Sequence, residues 1–436
     1  MSEYNNKKPS VGIHTLGCRV NQYESRAIAE ELERRGFEIC DFNDKCDFYV
    51  INTCAVTAES ERKSRQLARR AYKRNNSAII MLTGCQAQLH PEEAAELPGV
   101  RYVGGNASKL EVADVAVKLR KGSDTLLRYT RDITDEYELY SVNCPDHTRA
   151  YIKIEDGCKN KCAYCVIPKV RGPVRSKPIE NVVEEVSAVS KAGYREIVLT
   201  GIEVTDYQYD LCELIDRISL IDGIERIRLA SVNPAFINKK FTDRIKNNPK
   251  FCHHFHLSLQ SCCDKTLRNM RRPYNVEILK RNISYVKQEL ADVAFTADII
   301  CGFPGESDLD FEETLHNVSD IGLIHAHIFP YSIRPETEAA SMPCQISDNV
   351  KNLRCERLSA VCMKSREEIL SAYSAQKKVF SVLFEESTDG YSYGHTENFI
   401  DIALKTDRPL DGEIRNVVLI SKSEKGSAWV AELAEV

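Results

Sequence analysis

The sequence predicts an α/β protein built as an N-terminal open parallel sheet, a central partial (β/α) barrel and a small C-terminal β-barrel. Three observations predict it. Short apolar runs alternate with helical stretches over the first ~140 positions, a rhythm that restarts near Tyr151. From Lys377 the pattern changes to short alternating runs separated by the turn signals Asp389-Gly390 and Asp411-Gly412. At 436 residues the chain is too long for one ordinary core, so two or three domains are expected.

In the first unit, residues 1–140, Val11–Leu16, Phe48–Thr53, Ile79–Thr83 and Arg101–Val103 read as strands. Gln22–Arg35 and Ala58–Arg74 read as helices between them. The second unit, residues 141–372, has strand-like runs at Tyr151–Glu155, Glu196–Thr200, Arg226–Ala230, His254–Leu259, Ala294–Ile300 and His325–Tyr331. Helical stretches such as Glu180–Ala192 and Val276–Glu289 separate them, which suggests a partial barrel. Pro330 stands near the end of the last strand, where a missing N–H is tolerated. Val350–Ala372 reads as a connecting helix. The third unit, residues 373–436, has runs at Val379–Phe384, Phe399–Leu404, Val417–Ile420 and Ala428–Leu433, the pattern of a small barrel.

Composition narrows the function classes. Hydrophobic residues make up 43% and charged residues 28%, as in soluble globular chains. No apolar run approaches the ~20 residues that span a bilayer. The N-terminus Met-Ser-Glu-Tyr-Asn-Asn-Lys-Lys-Pro lacks the apolar core of a secretory signal. A cytoplasmic, reducing environment is therefore expected, where grouped cysteines bind metal or react more often than they pair. The cysteine count is seventeen, which forbids complete pairing within one chain. The net charge of −5 confines any nucleic-acid contact to local patches. Glu61–Arg74 is such a patch, with seven Lys/Arg against one Glu, and reads equally as a solvated helix face. Gln376–Val436 is acidic, with 7 Lys/Arg and 11 Asp/Glu, so RNA contact there would need a local face such as Lys377, Lys378 and exposed aromatics.

Six cysteines form two trios of different origin. Cys158, Cys162 and Cys165 share the loop Gly157-Cys-Lys-Asn-Lys-Cys-Ala-Tyr-Cys165. Cys18, Cys54 and Cys85 lie 36 and 31 positions apart, each about one βαβ repeat, and each just after a strand. Ligands bind at the carboxyl edge of open α/β sheets, so neighbouring strands would bring these three thiols to one rim. Three thiolates can hold three irons of a four-iron cubane and leave the fourth open; two such clusters are expected. A structural zinc site wants four ligands, and no fourth lies near the short loop. Most of Cys40, Cys46, Cys144, Cys212, Cys252, Cys301, Cys344, Cys355 and Cys362 read as buried thiols, and the adjacent pair Cys262-Cys263 has no family counterpart. His253, His254 and His256 read as ordinary strand residues.

The segment Glu155-Asp-Gly-Cys-Lys-Asn-Lys-Cys-Ala-Tyr-Cys-Val-Ile-Pro168 with Arg171-Gly-Pro-Val-Arg-Ser176 resembles the cluster loop of radical S-adenosylmethionine enzymes. More narrowly it is similar to the methylthiotransferases. Thr15-Leu-Gly-Cys-Arg-Val-Asn-Gln-Tyr-Glu-Ser25, Asn52-Thr-Cys-Ala-Val-Thr57 and Gly84-Cys-Gln-Ala-Gln88 match the same family, in order. The resemblance implies two 4Fe–4S clusters, with Cys158, Cys162 and Cys165 holding the one that cleaves S-adenosylmethionine to a 5′-deoxyadenosyl radical. Cys18, Cys54 and Cys85 would hold an auxiliary cluster that delivers sulfur. It implies cofactor contacts at Tyr164 by the adenine, at Gly201 and Glu203 by the methionine part, and at Asp298 and Gly302 by the adenosine. Ser258 and Gln260, in Leu257-Ser-Leu-Gln-Ser261 of the substrate-side loop with Met270-Arg-Arg-Pro-Tyr274, are also expected to contact the cofactor. No protein side chain beyond the cluster ligands is assigned a catalytic role. The C-terminal barrel, with Gly394-His-Thr-Glu-Asn-Phe-Ile400, resembles the small RNA-binding (TRAM) module of this family.

The implied reaction converts C2–H to C2–SCH3 on a modified tRNA adenosine. Gly-Cys-Arg-Val-Asn-Gln-Tyr-Glu-Ser is most similar to the subgroup acting on N6-threonylcarbamoyladenosine in the anticodon stem-loop. An electron donor such as flavodoxin or ferredoxin is implied as a partner, and no membrane. The alternatives are the same chemistry on isopentenyladenosine in tRNA or on a ribosomal-protein aspartate, and a non-enzymatic iron–sulfur RNA-binding redox sensor.

Overall fold

The computed structural model describes residues 8–121, 126–143, 148–423 and 426–434. Cys144 lies outside the described residues. The first sheet has six parallel strands: β1 (Ser10–Thr15), β2 (Glu38–Cys40), β3 (Phe48–Thr53), β4 (Ile79–Gly84), β5 (Val100–Gly104) and β6 (Leu127–Tyr129). Their order is β2-β1-β3-β4-β5-β6. The apolar run Phe-Tyr-Val-Ile-Asn-Thr of β3 is buried throughout, as befits a central parallel strand covered on both faces. The two strands absent from the sequence reading, β2 and β6, are three-residue edge strands too short to show a period. The first helix starts at Arg19 rather than Gln22, because the extended Cys18 caps it.

The order reverses at β1, whose neighbours are β2 on one side and β3 on the other. In open α/β sheets the carboxyl edge at such a reversal is where ligands bind. β1, β3 and β4 are adjacent, with Thr15 opposite Asn52 and Thr53 opposite Gly84. The strands that precede Cys18, Cys54 and Cys85 are therefore neighbours that end on one rim.

The second unit is an open arc of parallel strands in two adjoining sheets, one of three strands and one of four. β7 (Ala150–Lys153) pairs with β10 (Glu196–Thr200), and β10 with β11 (Arg226–Leu229). The chain runs on through Ala230 into β12 (Ser231–Val232), which pairs with β13 (His254–Gln260), then β14 (Ala294–Cys301) and β15 (His325–Pro330). Between β7 and β10, the short antiparallel pair β8 (Glu155–Asp156) and β9 (Arg175–Ser176) closes the base of the cysteine loop. The outer helices, among them Ile179–Lys191 and Val276–Glu289, pack their apolar faces on this arc around Val186, Ile197, Phe255 and Val286.

The 28-residue helix Asp348–Ala375 leads to a closed five-stranded barrel of order β16-β17-β18-β20-β19. Its strands are β16 (Val379–Thr388), β17 (Tyr391–Thr396), β18 (Asp401–Lys405), β19 (Ile414–Lys422) and β20 (Trp429–Leu433). Asp389 and Gly390, both at positive φ, make the tight hairpin between β16 and β17. The sequence reading lacked β17, whose polar alternation Tyr-Ser-Tyr-Gly-His-Thr carries little apolar signal. It also began the next strand at Phe399, which instead sits at φ 69° in the loop before Asp401.

The small barrel is fastened to the arc by buried charge. Glu196 of β10 accepts from Arg228 Nε at 2.8 Å and stands 3.3 Å from Arg226 Nη1 and 3.2 Å from His395 Nε2. His395 Nδ1 meets Glu385 at 2.9 Å, and Glu385 also pairs with Arg149 at 2.9 Å. Despite its partial burial, His395 and Arg149 hold Glu385 down at about 2. A depressed carboxylate contributes stability in full above its unfolded value of about 4.3 and loses it as pH falls through the folded value. The only tryptophan, Trp429, is buried in the core of this barrel. Its emission in cluster-free protein should therefore shift to the red between about pH 4.3 and about pH 2. Glu385→Gln should flatten that transition; an unchanged transition in the variant would remove Glu385 as its cause. Among the described residues no helix is long and apolar enough to cross a membrane.

Candidate active site

Cys18 follows β1 and caps the helix Arg19–Arg34; Cys54 follows β3; Cys85 opens the short helix Cys85–Leu89 after β4. Burial raises the Cys18 and Cys54 thiols, and the neighbouring trio sulfurs add to it, Cys85 at both and Cys18 at Cys54. Gly17 lets the backbone come this close, since a Cβ at its φ of 96° would lie 2.8 Å from Cys54 Sγ. Donors point at the sulfurs. The Val56 amide lies 3.5 Å from Cys54, and Asn106 Nδ2 and Arg171 Nε lie 3.5 and 3.4 Å from Cys85.

The second trio lies in a loop held at both ends. The Cys158 amide donates to Gly172 O at 3.3 Å, and the Ala163 amide donates to Met270 O at 3.1 Å. Gly157, at φ 91°, has no room for a side chain against the Pro173 carbonyl. Cys162 and Cys158 both act on Cys165. The Ile167 amide and Arg272 Nη1 donate to Cys165 and Cys162, each at 3.4 Å. Arg272 also binds the Ser258 carbonyl at 2.9 Å, and its buried Nε has no partner. The segments around Ser258 and Arg272, distant in sequence, thus meet the cysteine loop.

Both donor sets fit a thiolate-bound cluster. Burial pushes the Cys54 and Cys158 thiols up to about 11 and Cys165 up to about 12. As free groups they would be neutral, and iron ligation is what deprotonates such thiols. Among the described residues no group of three His, Cys, Asp or Glu side chains is arranged to hold a metal ion. N–H groups aimed at sulfur and adjacent guanidinium groups suit anionic sulfur ligands.

A buried ionic cluster backs the first trio. Lys109, Lys153, Arg171 and Arg175 surround Glu24 and Asp156, all six buried. Four cations against two carboxylates leave a positive surplus. Arg171 Nε lies 3.4 Å from Cys85 Sγ, which turns part of that surplus toward the trio. Cys85 also packs with Val166 and Val170, immediately past Cys165, which brings the two trios' supporting segments together.

Beside Cys18 lies a cavity of ≈ 220 Å³. Cys18 and Arg19 form one wall, Gly201 and Arg228 another, and Phe399 of the small barrel closes it. His254 and His256 of β13 and His325 and His327 of β15 point into it. The period-2 spacing His254-x-His256 and His325-x-His327 puts each pair on one strand face. His254 and His256 are strand residues of β13, as read, that also line the cavity, while half-buried His253 binds the Ala291 carbonyl at 2.8 Å. His254 is buried against cationic neighbours and held well below its ordinary value, hence neutral. Burial, then Arg149 and Arg228, lower Arg19 to about 10, which leaves it charged at neutral pH.

Of the expected cofactor contacts, Gly201 alone lines this cavity. Tyr164 packs edge-on to Phe303 at 6.4 Å between ring centres. Gly201, which lines the cavity, sits against Glu155, whose carboxylate accepts the Glu203 amide at 2.8 Å. Glu203 is buried, which raises its carboxyl, and accepts from Thr205. Gln260, at φ 61°, stands where the β13–β14 register shifts. Asp298 faces His256 Nε2 at 3.2 Å. The space beside Gly302 is filled by the Lys351 side chain, and its amide donates to Glu306 at 2.8 Å.

Comparison with known proteins agrees with this arrangement. The model of the Radical SAM superfamily matches residues 152–318, and that of Uncharacterized protein family UPF0004 matches residues 10–105. A threonylcarbamoyladenosine tRNA methylthiotransferase (MtaB) of Bacillus subtilis is 34% identical over 424 residues, 94% of each chain. A protein of the same name from Thermotoga maritima is 36% identical over 426 residues, 96% of each chain. Among solved structures, the radical S-adenosylmethionine methyltransferase TsrM from Kitasatospora setae has a TM-score of 0.58 over 77% of each chain, at 14% identity, a likeness of fold. With two cysteine trios on these elements and full-length relatives of this kind, the chain belongs to the radical S-adenosylmethionine methylthiotransferase family.

Proposed function

We propose that the protein is a tRNA methylthiotransferase that converts C2–H to C2–SCH3 on N6-threonylcarbamoyladenosine beside the anticodon, in the cytoplasm. Cys158, Cys162 and Cys165 hold one 4Fe–4S cluster, and Cys18, Cys54 and Cys85 hold the other. When bound, the first cluster with S-adenosylmethionine supplies a 5′-deoxyadenosyl radical, and the second supplies the sulfur that receives a methyl group. The observation that carries the proposal is the cavity with Cys18 in its wall, bounded by the barrel strands and closed by the small barrel.

The protein's own residues orient and neutralise. Arg272 ties the short loop to the β13 strand through Cys162 and Ser258. Arg171 ties the auxiliary site to the loop through Cys85, Glu24 and Asn21. The arc and the small barrel wall the cavity, whose mouth is lined by the exposed residues Cys18, Arg19, His325 and His327. Tyr164, Gly201, Glu203, Ser258, Gln260, Asp298 and Gly302 serve the cofactor, Ser258 and Gln260 from the substrate side. Residues 1–140 carry the auxiliary site, 141–372 the radical site, and 373–436 bind RNA. A one-electron donor of the flavodoxin or ferredoxin class completes the system.

Mass spectrometry of tRNA nucleosides from a deletion strain tests this. The 2-methylthio form of threonylcarbamoyladenosine should disappear and return on complementation. Its persistence, with loss of the methylthio form of isopentenyladenosine instead, would overturn the substrate assignment.

A further inference from the structure

We propose that Arg19, Arg149 and Arg228 form a carboxylate receptor in the cavity wall that takes the threonine-derived carboxylate of the substrate nucleoside; the proposal rests on the substrate assigned above. The three guanidinium groups come from separate elements: the first turn after Cys18, the residue before β7, and β11. All three line the cavity.

Among the described residues their charge is balanced only in part, with Glu397 adding to the carboxylates around Arg228. Glu196 is divided among Arg226, Arg228 and His395, and Glu385 between Arg149 and His395. Arg149 and Arg228 each spend Nε on a carboxylate, at 2.9 and 2.8 Å. Arg228 Nη1, on a side chain only 3% exposed, is buried without a hydrogen-bond partner. Arg19 donates to the Tyr151 hydroxyl and lies over that ring at 4.7 Å, and it forms no ion pair among the described residues. Buried donors are nearly always satisfied, so an orphan guanidinium nitrogen in a cavity points to a missing acceptor. Leaving the buried Arg228 incompletely matched is costly, and an entering anion relieves that cost; Arg149 beside it is half-buried and Arg19 is exposed at the cavity mouth.

The cluster is also held in shape. Phe399 places its ring 5.5 Å from the Arg149 guanidinium carbon and 5.0 Å from that of Arg228, and stacks on His254 at 4.7 Å. It does so from a left-handed backbone position, φ 69°, unusual for a bulky residue and characteristic of functional sites. The neutral His254 adds a second buried orphan, Nδ1. Forked guanidinium groups match a carboxylate two bonds at a time. The cavity, open at Cys18, Arg19, His325 and His327, can admit a substituent carried on a base, and Arg19 sits next to Cys18, beside the sulfur-delivering site. An isopentenyl group would leave these cations without a partner, so the same residues reject it.

A carboxylate also occurs in the methionine part of S-adenosylmethionine, and binding measurements separate the two sources. Anticodon stem-loops carrying threonylcarbamoyladenosine, its methyl ester, isopentenyladenosine or plain adenosine are titrated against the protein by fluorescence anisotropy, with S-adenosylmethionine binding measured separately. The acid should bind about 10- to 100-fold more tightly than its ester. Arg19→Gln should reduce that preference at least about fivefold and leave S-adenosylmethionine affinity unchanged. Arg19 is the variant of choice because its removal strands no buried carboxylate, whereas removal of Arg228 would strand Glu196. Arg149→Gln is the second variant, with Trp429 emission reporting that the fold is kept. Equal binding of acid and ester with preference over adenosine would overturn the receptor and leave the substrate assignment standing. A wild-type protein that favours the isopentenyl stem-loop would overturn both. Loss of S-adenosylmethionine binding in Arg19→Gln with the acid preference intact would assign the arginines to the cofactor and overturn the receptor.

Discussion

A Cys162→Ala enzyme is expected to release no 5′-deoxyadenosine from S-adenosylmethionine while keeping about half of its iron. Cys162 stands between Cys158 and Cys165 in a loop pinned by Cys158–Gly172 and Ala163–Met270 backbone bonds, so its loss leaves the loop's course intact. What disappears is one of three sulfur ligands and the acceptor of Arg272 Nη1. Two thiolates do not hold a cubane with one open iron, so radical formation stops altogether. Arg272→Gln is the graded form of the same experiment. It keeps all three cysteines but removes the cation at Cys162 and the link to Ser258, which should slow cleavage about 10- to 100-fold. Normal cleavage by Cys162→Ala in an anaerobic assay would remove this loop from radical generation.

Arg171→Met is expected to cost about 3–5 kcal/mol of folding stability, read as a lower denaturant midpoint of the cluster-free protein. Arg171 is 0% exposed and donates to Glu24, Asn21, Asp156 and Cys85 Sγ. Its removal leaves Glu24, itself 0% exposed, with Lys109 and Lys153 only. The methionine can fill the space but cannot offset the carboxylate. Arg171→Lys keeps the charge and loses the fork, so a smaller loss is expected. Because Arg171 joins the first unit's Cys85 to the second unit's cysteine loop, Arg171→Met should also lower iron at the auxiliary site. A midpoint within experimental error of the parent would show that the ionic cluster contributes nothing.

The parts legible in the sequence were those with a strong local signature. The spacing of Cys18, Cys54 and Cys85 follows strand ends, and the parallel neighbours β1, β3 and β4 bring those ends to one rim. Helices Ala58–Arg74 and Val276–Glu289 begin and end where their apolar spacing and caps place them, with Thr57 and Asn275 as N-caps. The cavity was not legible. Arg19, Arg149, Arg228, His327 and Phe399 come from five elements, and only the closure of the arc and the docking of the small barrel bring them together. A period-2 pattern of histidines on β13 and β15 marked an inward polar face, yet nothing local distinguishes that from a solvent-facing strand. β17 escaped because its polar residues carry no apolar alternation, although Asp389-Gly390 marked its hairpin.

Two sites of separate origin, one a single loop and one a sheet rim, make the central claim, and iron analysis paired with 5′-deoxyadenosine release tests it directly. Anaerobically reconstituted wild-type protein should hold about eight irons per chain. Cys18→Ala and Cys162→Ala should each hold about four, with cleavage retained in the first and absent in the second. Loss of all iron from both variants, or identical cleavage by the two, would contradict independent clusters with separate tasks.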